Sequence, residues 1–365
     1  MAVAVYVHIP FCPTKCGYCD FNSYAMQGDI VERTTQAIEA EIRRSPLAGE
    51  PAKTIFFGGG TPTFLTEDQL VRVFRAVLET HPPIDGAEIT SEANPGTVDA
   101  DKFGAMRAAG FNRISMGAQS FLDSDLIALG RIHRSGEIER AFEAARQAGF
   151  DNVNLDLMFA LPNQSFRGWQ SNLERALSMA PEHLSLYCLT IEQNTAFYKQ
   201  NLRGQLNLPD DEQQVAMYEE CLDRTAAAGY VQYEISNFSK PGLPCRHNLC
   251  YWYGEPYAGY GPGAVGAYHG RRYTNLKHPE RYCDAVERGA DLPFESEPLS
   301  PETLRVERIM LGLRLNEGID AHHLALPEKP IARLIDRGWI AKDGDTVRLT
   351  RAGRHFCSEV ALELI

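Results

Sequence analysis

Residues 54–91 read TIFFGGGTPTFLTEDQLVRVFRAVLETHPPIDGAEITS. The apolar run Thr54–Phe57 predicts a strand that ends in glycine. Thr66 with Gln69 three positions on forms a capping box, and Leu70, Val73, Phe74, Val77 and Leu78 then recur on one helical face. Ala87–Ser91 predicts a second strand, so the stretch is a strand–helix–strand unit whose helix lays its apolar stripe on a sheet. The alternation continues in both directions, with strands predicted over Val3–Ile9, Arg113–Gly117, Val153–Leu157 and His183–Leu189. Three helix ends repeat one pattern: Ala108-Ala109-Gly110-Phe111, Gln147-Ala148-Gly149-Phe150 and Ala227-Ala228-Gly229-Tyr230. In each, glycine serves as the left-handed stop before an aromatic residue that opens the next strand. Six such strands before Pro209 predict an α/β fold, an incomplete parallel (β/α) barrel over residues 1–235.

Beyond the barrel the composition changes. Residues 254–270 are dense in Gly, Pro and Tyr, as in Pro256-Tyr257-Ala258-Gly259-Tyr260-Gly261-Pro262-Gly263, and are expected to form a loop and lid within a connecting segment, 236–299. After Ser300 come two helical patterns, Gly338, a short strand at Trp339-Ile340, an Asp343-Gly344-Asp345 turn, a strand at Val347–Leu349 and a last helix. That order predicts a small winged-helix-like domain over 300–365. Residues 301–365 hold ten Lys+Arg and ten Asp+Glu, so the basic footprint of a DNA reader is missing and a packing or docking role is expected. The whole chain of 365 residues carries 36 Lys+Arg against 48 Asp+Glu, a formal charge of -12 that repels phosphate backbones and argues against a nucleic-acid partner. Met1–Ile9 is apolar but lacks a basic flank and a small-residue cleavage site, and no run is long enough to span a membrane. A cytoplasmic location is therefore expected, with contact at a membrane surface left open.

Three of the nine cysteines fall within eight residues, as Cys12-x-x-x-Cys16-x-x-Cys19, directly after an apolar strand. Three thiolates on a four-iron, four-sulfur cluster leave one iron free for an outside ligand. The alternative is zinc, which usually takes four ligands; only His8 is close enough in sequence to be the fourth.

Tyr6-x-His8-x-Pro10-Phe11-Cys12, the cysteine motif, Gly58-Gly59-Gly60-Thr61-Pro62 and Ser91-Glu92-Ala93-Asn94-Pro95 together resemble the radical S-adenosylmethionine (SAM) family of coproporphyrinogen III dehydrogenase and its relatives, the heme chaperones. The resemblance covers nearly the whole chain. It implies SAM bound at the carboxyl ends of the strands, against Gly58, Gly59, Gly60, Thr61, Glu92, Gln119, Asp156 and Tyr187, with Tyr6, Tyr18 and Arg131 also in contact. Under that reading Asp156 meets polar atoms of the cofactor. Arg131 meets its carboxylate, because guanidinium and carboxylate pair in a bidentate fork.

Two features separate the branches of this family. The dehydrogenase has a fourth cysteine two places after the third, where this chain has Phe21, and a long arm before its motif, where this chain has eleven residues. Arg246-His247-Asn248-Leu249-Cys250-Tyr251-Trp252 matches the HNxxYW signature of the heme-chaperone branch, which implies His247 as a heme-iron ligand with aromatic neighbours on the macrocycle. Cys245 and Cys250 flank it and could supply a thiolate or a covalent attachment. Cys188, Cys221, Cys283 and Cys357 are expected to be small core residues, and His322 and His323 to be solvated. The function implied is a heme chaperone without classical turnover, carrying a 4Fe-4S cluster and SAM and passing heme to an acceptor protein. The alternatives are the dehydrogenase and a radical methyltransferase that opens heme.

Overall fold

The computed structural model describes residues 2–290 and 295–365, so part of the predicted connecting segment, 291–294, lies outside the described residues. Strands β1 (Val3–Ile9), β2 (Ala52–Gly59), β3 (Pro83–Ala93), β4 (Arg113–Gln119), β5 (Val153–Phe159) and β6 (His183–Cys188) lie side by side in chain order, all parallel. Each predicted strand is present, most of them a few residues longer than its apolar run. The helix Glu67–Thr80 starts at the Thr66–Gln69 capping box and buries Leu70, Val73, Phe74 and Val77. Gly110, Gly149 and Gly229 have φ of 120°, 90° and 82°, and the aromatic residue after each donates its N–H back into the last helical turn. The repeated helix ends are therefore left-handed stops.

Alternation along the strands decides the two faces. On β5, Val153, Leu155 and Leu157 are fully buried in the main core, whereas Asn154 and Asp156 point to the opposite face. There they meet Tyr6 of β1, Phe56 of β2, Glu92 of β3, Arg113 and Ser115 of β4, and Ser185 and Tyr187 of β6 around one chamber of about 160 Å³. Six strands can line one chamber only if the sheet curls, which is the incomplete barrel.

The Gly- and Tyr-rich stretch is not a loop. It forms β9 (Tyr257–Tyr260), parallel to β1, and β10 (Val265–Tyr268); these follow β7 (Val231–Glu234) and β8 (Asn237–Ser239), and β11 (Arg271–Thr274) and β12 (Glu295–Pro298) continue the sheet to twelve strands. The glycines there permit close backbone approach: a Cβ on Gly259 would lie 2.0 Å from the Val265 carbonyl, and one on Gly261, whose φ is +98°, 2.4 Å from the His8 carbonyl.

The C-terminal unit has helices Pro301–Gly312, Glu328–Asp336 and Cys357–Leu364, with strands β13 (Ile319–Asp320), β14 (Ile340–Asp343) and β15 (Thr346–Leu349) in the order β13-β15-β14. Ile309, Leu313, Leu334, Val347, Val360 and Leu364 form a separate small core. Arg314 ties this unit to the barrel, bonding the fully buried Glu234 carboxylate at 2.9 Å and lying 4.7 Å above the Trp252 ring.

Candidate functional site

The loop after β1 carries the three cysteines. It is fixed by main-chain bonds from Cys12 N–H to the Tyr24 carbonyl, Gly17 N–H to Leu129 and Phe197 N–H to Gly17. Gly17 admits the Phe197 ring, since a Cβ there would stand 2.7 Å from it. Cys12, Cys16 and Cys19 open on a cavity of about 350 Å³ at the carboxyl ends of the strands, where βα folds place their ligands. Its walls include Tyr18, Gly59, Gly60, Thr61, Glu92, Gln119, Arg131, Asp156 and Tyr187, which are nine of the eleven residues expected at SAM. Gly58 lies one residue back, and a Cβ there would meet the Phe56, Tyr6 and Glu92 side chains at 2.9–3.2 Å. Tyr6 faces the deeper chamber and bonds His8 Nδ1 at 3.0 Å.

The donor chemistry fits a cluster better than zinc. His8, the one candidate for a fourth zinc ligand, has its ring nitrogens bonded to the Tyr6 hydroxyl and the Asn22 carbonyl. Burial pushes the Cys12 and Cys19 thiols up from their ordinary range, so taking up a metal would displace their protons. Arg131 stands at the edge of this group: Nη1 lies 3.6 Å from Cys16 Sγ, Nη2 donates to the Gly117 carbonyl at 2.9 Å, and the buried Nε has no partner. Thr61 Oγ1 lies 3.4 Å from Cys12 Sγ. Gln119 holds φ of 66°, a left-handed conformation that a non-glycine residue adopts only where its surroundings impose it.

Two carboxyl groups form the floor of the cavity. Glu92 accepts from Gly59 N–H at 3.1 Å, and burial, aided by the nearby Asp156, pushes its carboxyl up to about 8. Asp156 is raised by burial and oriented by Ser115, at 3.2 Å, and Asn154, at 2.8 Å. Ser115 and Asn154 were not anticipated, though Asn154 stands two residues from Asp156 on the polar face of a strand. Cys188 also corrects an expectation. It is exposed and lines the cavity beside Tyr187, because β6 runs past the edge of the core; Cys221 and Cys283 are buried as expected.

His247 is placed elsewhere. It sits in the helix Arg246–Trp252, 1% exposed, with Nδ1 2.8 Å from Thr54 Oγ1 and Nε2 2.9 Å from the Tyr251 hydroxyl. Its ring stacks on Phe56 with centroids 5.0 Å apart. Burial lowers its basicity to a pKa of about 3, with the Arg113 charge adding to the effect. In this geometry both ring nitrogens are engaged by protein partners and the ring is enclosed. The expected role as heme ligand would require His247 to exchange these partners for iron. Cys245 and Cys250 are likewise buried, at 1% and 4% exposure.

Comparison with known proteins follows the same division of the chain. The radical SAM superfamily profile matches residues 6–176, and that of the HemN C-terminal domain matches residues 299–356. The chain is 38% identical over 370 residues to the heme chaperone HemW of Bacillus subtilis, covering 98% of this chain and 97% of that one. It is 41% identical over 310 residues to the heme chaperone HemW of Escherichia coli, covering 80% of each. The solved structure of coproporphyrinogen III oxidase (HemN) from E. coli, a radical SAM enzyme, superposes with a TM-score of 0.86 at 24% identity, over 100% of this chain and 90% of that one. At this identity over almost its full length, the chain belongs to the radical SAM superfamily and, within it, to the HemW family.

Proposed function

We propose that the protein is a heme chaperone that takes up one heme and passes it to an acceptor protein, with a 4Fe-4S cluster on Cys12, Cys16 and Cys19 and SAM in the adjoining cavity. The observation that carries this reading is the 38% identity to a heme chaperone across 98% of the chain. When bound, the cluster supplies an iron with an open position for SAM. Gly59 and Gly60 put main chain on the cavity wall because their missing side chains make room for the His8 ring and the Phe11 carbonyl, Gln119 and Arg131 offer donors, and Glu92 and Asp156 offer carboxylates to a ligand whose sulfonium is positively charged. Tyr18 and Tyr187 supply flat walls. Among the described residues no helix is long and apolar enough to cross a membrane.

The likeness in fold to HemN supports a second reading, an oxygen-independent coproporphyrinogen III dehydrogenase. Phe21 argues against it. Its side chain stands 60% exposed beside the cluster loop, at the position where the dehydrogenase carries a cysteine. Cluster-loaded protein should bind about one hemin per chain and leave coproporphyrinogen III unchanged in an anaerobic assay with SAM and reductant. Conversion of the porphyrinogen without hemin binding would reverse the assignment.

A further inference from the structure

The HNxxYW string still needs a role. Its helix starts on Glu88 of β3, whose carboxylate accepts from Arg246 N–H at 2.9 Å and His247 N–H at 3.0 Å. The helix thus closes the amino-terminal end of the barrel, and His247, Asn248 and Tyr251 line the chamber of about 160 Å³ inside. Glu92, Ser115, Asp156 and Tyr187 line both this chamber and the cysteine-lined cavity above, so they form a shared partition. Arg113, 1% exposed, also lines the chamber, with Nε and Nη1 lacking any protein partner. Buried donors of that kind are ordinarily satisfied by enclosed water.

We propose that His247 is a positioning residue of the SAM site: with Tyr251 it floors a small hydrated chamber beneath Glu92 and Asp156 and keeps bulk water from them. The proposal rests on SAM occupying the cysteine-lined cavity. Enclosure is what holds Glu92 protonated, because a carboxylate taken from water is costly unless a cation compensates it. SAM brings a positive charge, so binding favours the ionised form and grows stronger as pH rises toward the Glu92 midpoint. Glu92 faces Asp156, Tyr6, Arg113, Tyr187, His247 and Tyr251 around the chamber, and Arg131 with the three thiols across the cavity. Opening the floor would hydrate this set and lower that midpoint.

The test measures SAM affinity from about pH 6 to 9 on cluster-loaded full-length protein, with hemin stoichiometry and absorption on the same preparations. Wild type should gain up to about tenfold in affinity per pH unit, levelling once Glu92 has ionised near pH 8. In His247→Ala that break should move down by about one pH unit or more, with hemin binding and its spectrum unchanged. Titration of SAM's own amino group is common to both proteins and cancels in the comparison. Tyr251→Phe keeps the packing and removes one hydroxyl; it should move the break less, and it decides the matter if His247→Ala does not fold. An unchanged profile in the folded variants overturns the proposal. So does a His247→Ala hemin spectrum that has lost an axial ligand. If wild type binds no SAM, the proposal falls with the SAM site; if it binds SAM but no hemin, the chaperone reading falls while the profile still decides the floor.

Discussion

The cysteine-lined cavity and the chamber beneath it are built by the same six strands, yet they treat their polar groups differently. Above, Arg131 keeps a buried Nε without a partner, Gln119 is held at φ of 66°, and three thiols face open space. Below, both nitrogens of His247 are bonded, both oxygens of Glu88 accept main-chain N–H groups, and His183 Nδ1 bonds Asn154 at 2.7 Å; Arg113, whose Nε and Nη1 have no protein partner, is the exception there and is left to enclosed water. Unsatisfied and strained groups cost stability, so they persist where a ligand repays them; paired groups persist because they hold the frame. The upper half is therefore the site and the lower half its support.

The sharpest way to break this division is to exchange cysteines between the halves. Replacing Cys12, Cys16 or Cys19 by Ala should abolish the roughly four irons and four sulfides expected per chain after anaerobic reconstitution. Cys245→Ala and Cys250→Ala, which alter only the supporting helix, should keep the full complement. Iron retained by the first set, or lost from folded members of the second, would undo the assignment of the two halves.

Next in size comes Gly59→Val. Gly59 has φ of +109°, and an added Cβ would stand 2.5 Å from the His8 ring. Backbone strain and the clash with His8 together cost about 3 kcal/mol of folding stability, and the loop shift that relieves them moves the Gly59 main chain on the cavity wall, so SAM binding should weaken with it. Equilibrium titration of the cluster-loaded variant checks this; unchanged affinity in a folded protein would remove the glycine loop from the site.

These upper-half residues were legible in the sequence because each motif is local. CxxxCxxC spans eight residues, GGGTP five, and both follow strands that their apolar runs disclose. The lower half was illegible for the opposite reason. His247 meets Thr54 across 193 residues and Glu88 across 159, and its helix of seven residues is too short to show a periodicity. A histidine read beside its sequence neighbours alone looks available, and only its distant partners show that it is engaged. Strand β9 escaped notice similarly: Tyr257-Ala258-Gly259-Tyr260 has a turn-like composition, and its pairing with β1 depends on residues near the other end of the chain.

A smaller effect is expected at the partition. Burial and the neighbouring Asp156 hold Glu92 with a midpoint near 8, so it is mostly protonated at neutral pH before SAM arrives. Glu92→Gln removes the titration: SAM affinity should lose its pH-dependent rise and fall below wild type by about tenfold to 100-fold at pH 9, where wild type carries the full charge, with little difference at pH 6. A variant that tracks wild type across the range would place the ionising group elsewhere.

The smallest change probes the support alone. Thr54→Val keeps the shape of the side chain on β2 but removes the hydroxyl 2.8 Å from His247 Nδ1. One buried ring nitrogen then lacks a partner, at a cost of about 1–2 kcal/mol. The Tyr251 bond and the stacking on Phe56 remain, so the chamber stays closed, and cluster content and SAM affinity should match wild type. The loss should register where it occurs. Amides of the helix Arg246–Trp252 should exchange with solvent roughly 5- to 30-fold faster, while those of β4 and β5, which open only with the whole barrel, should change less. Uniform acceleration across the barrel would mean that helix and barrel open as a single cooperative unit. Unaltered exchange in the helix would mean that the bond from Thr54 contributes nothing to holding it, leaving the Glu88 cap and the aromatic stack as its anchors.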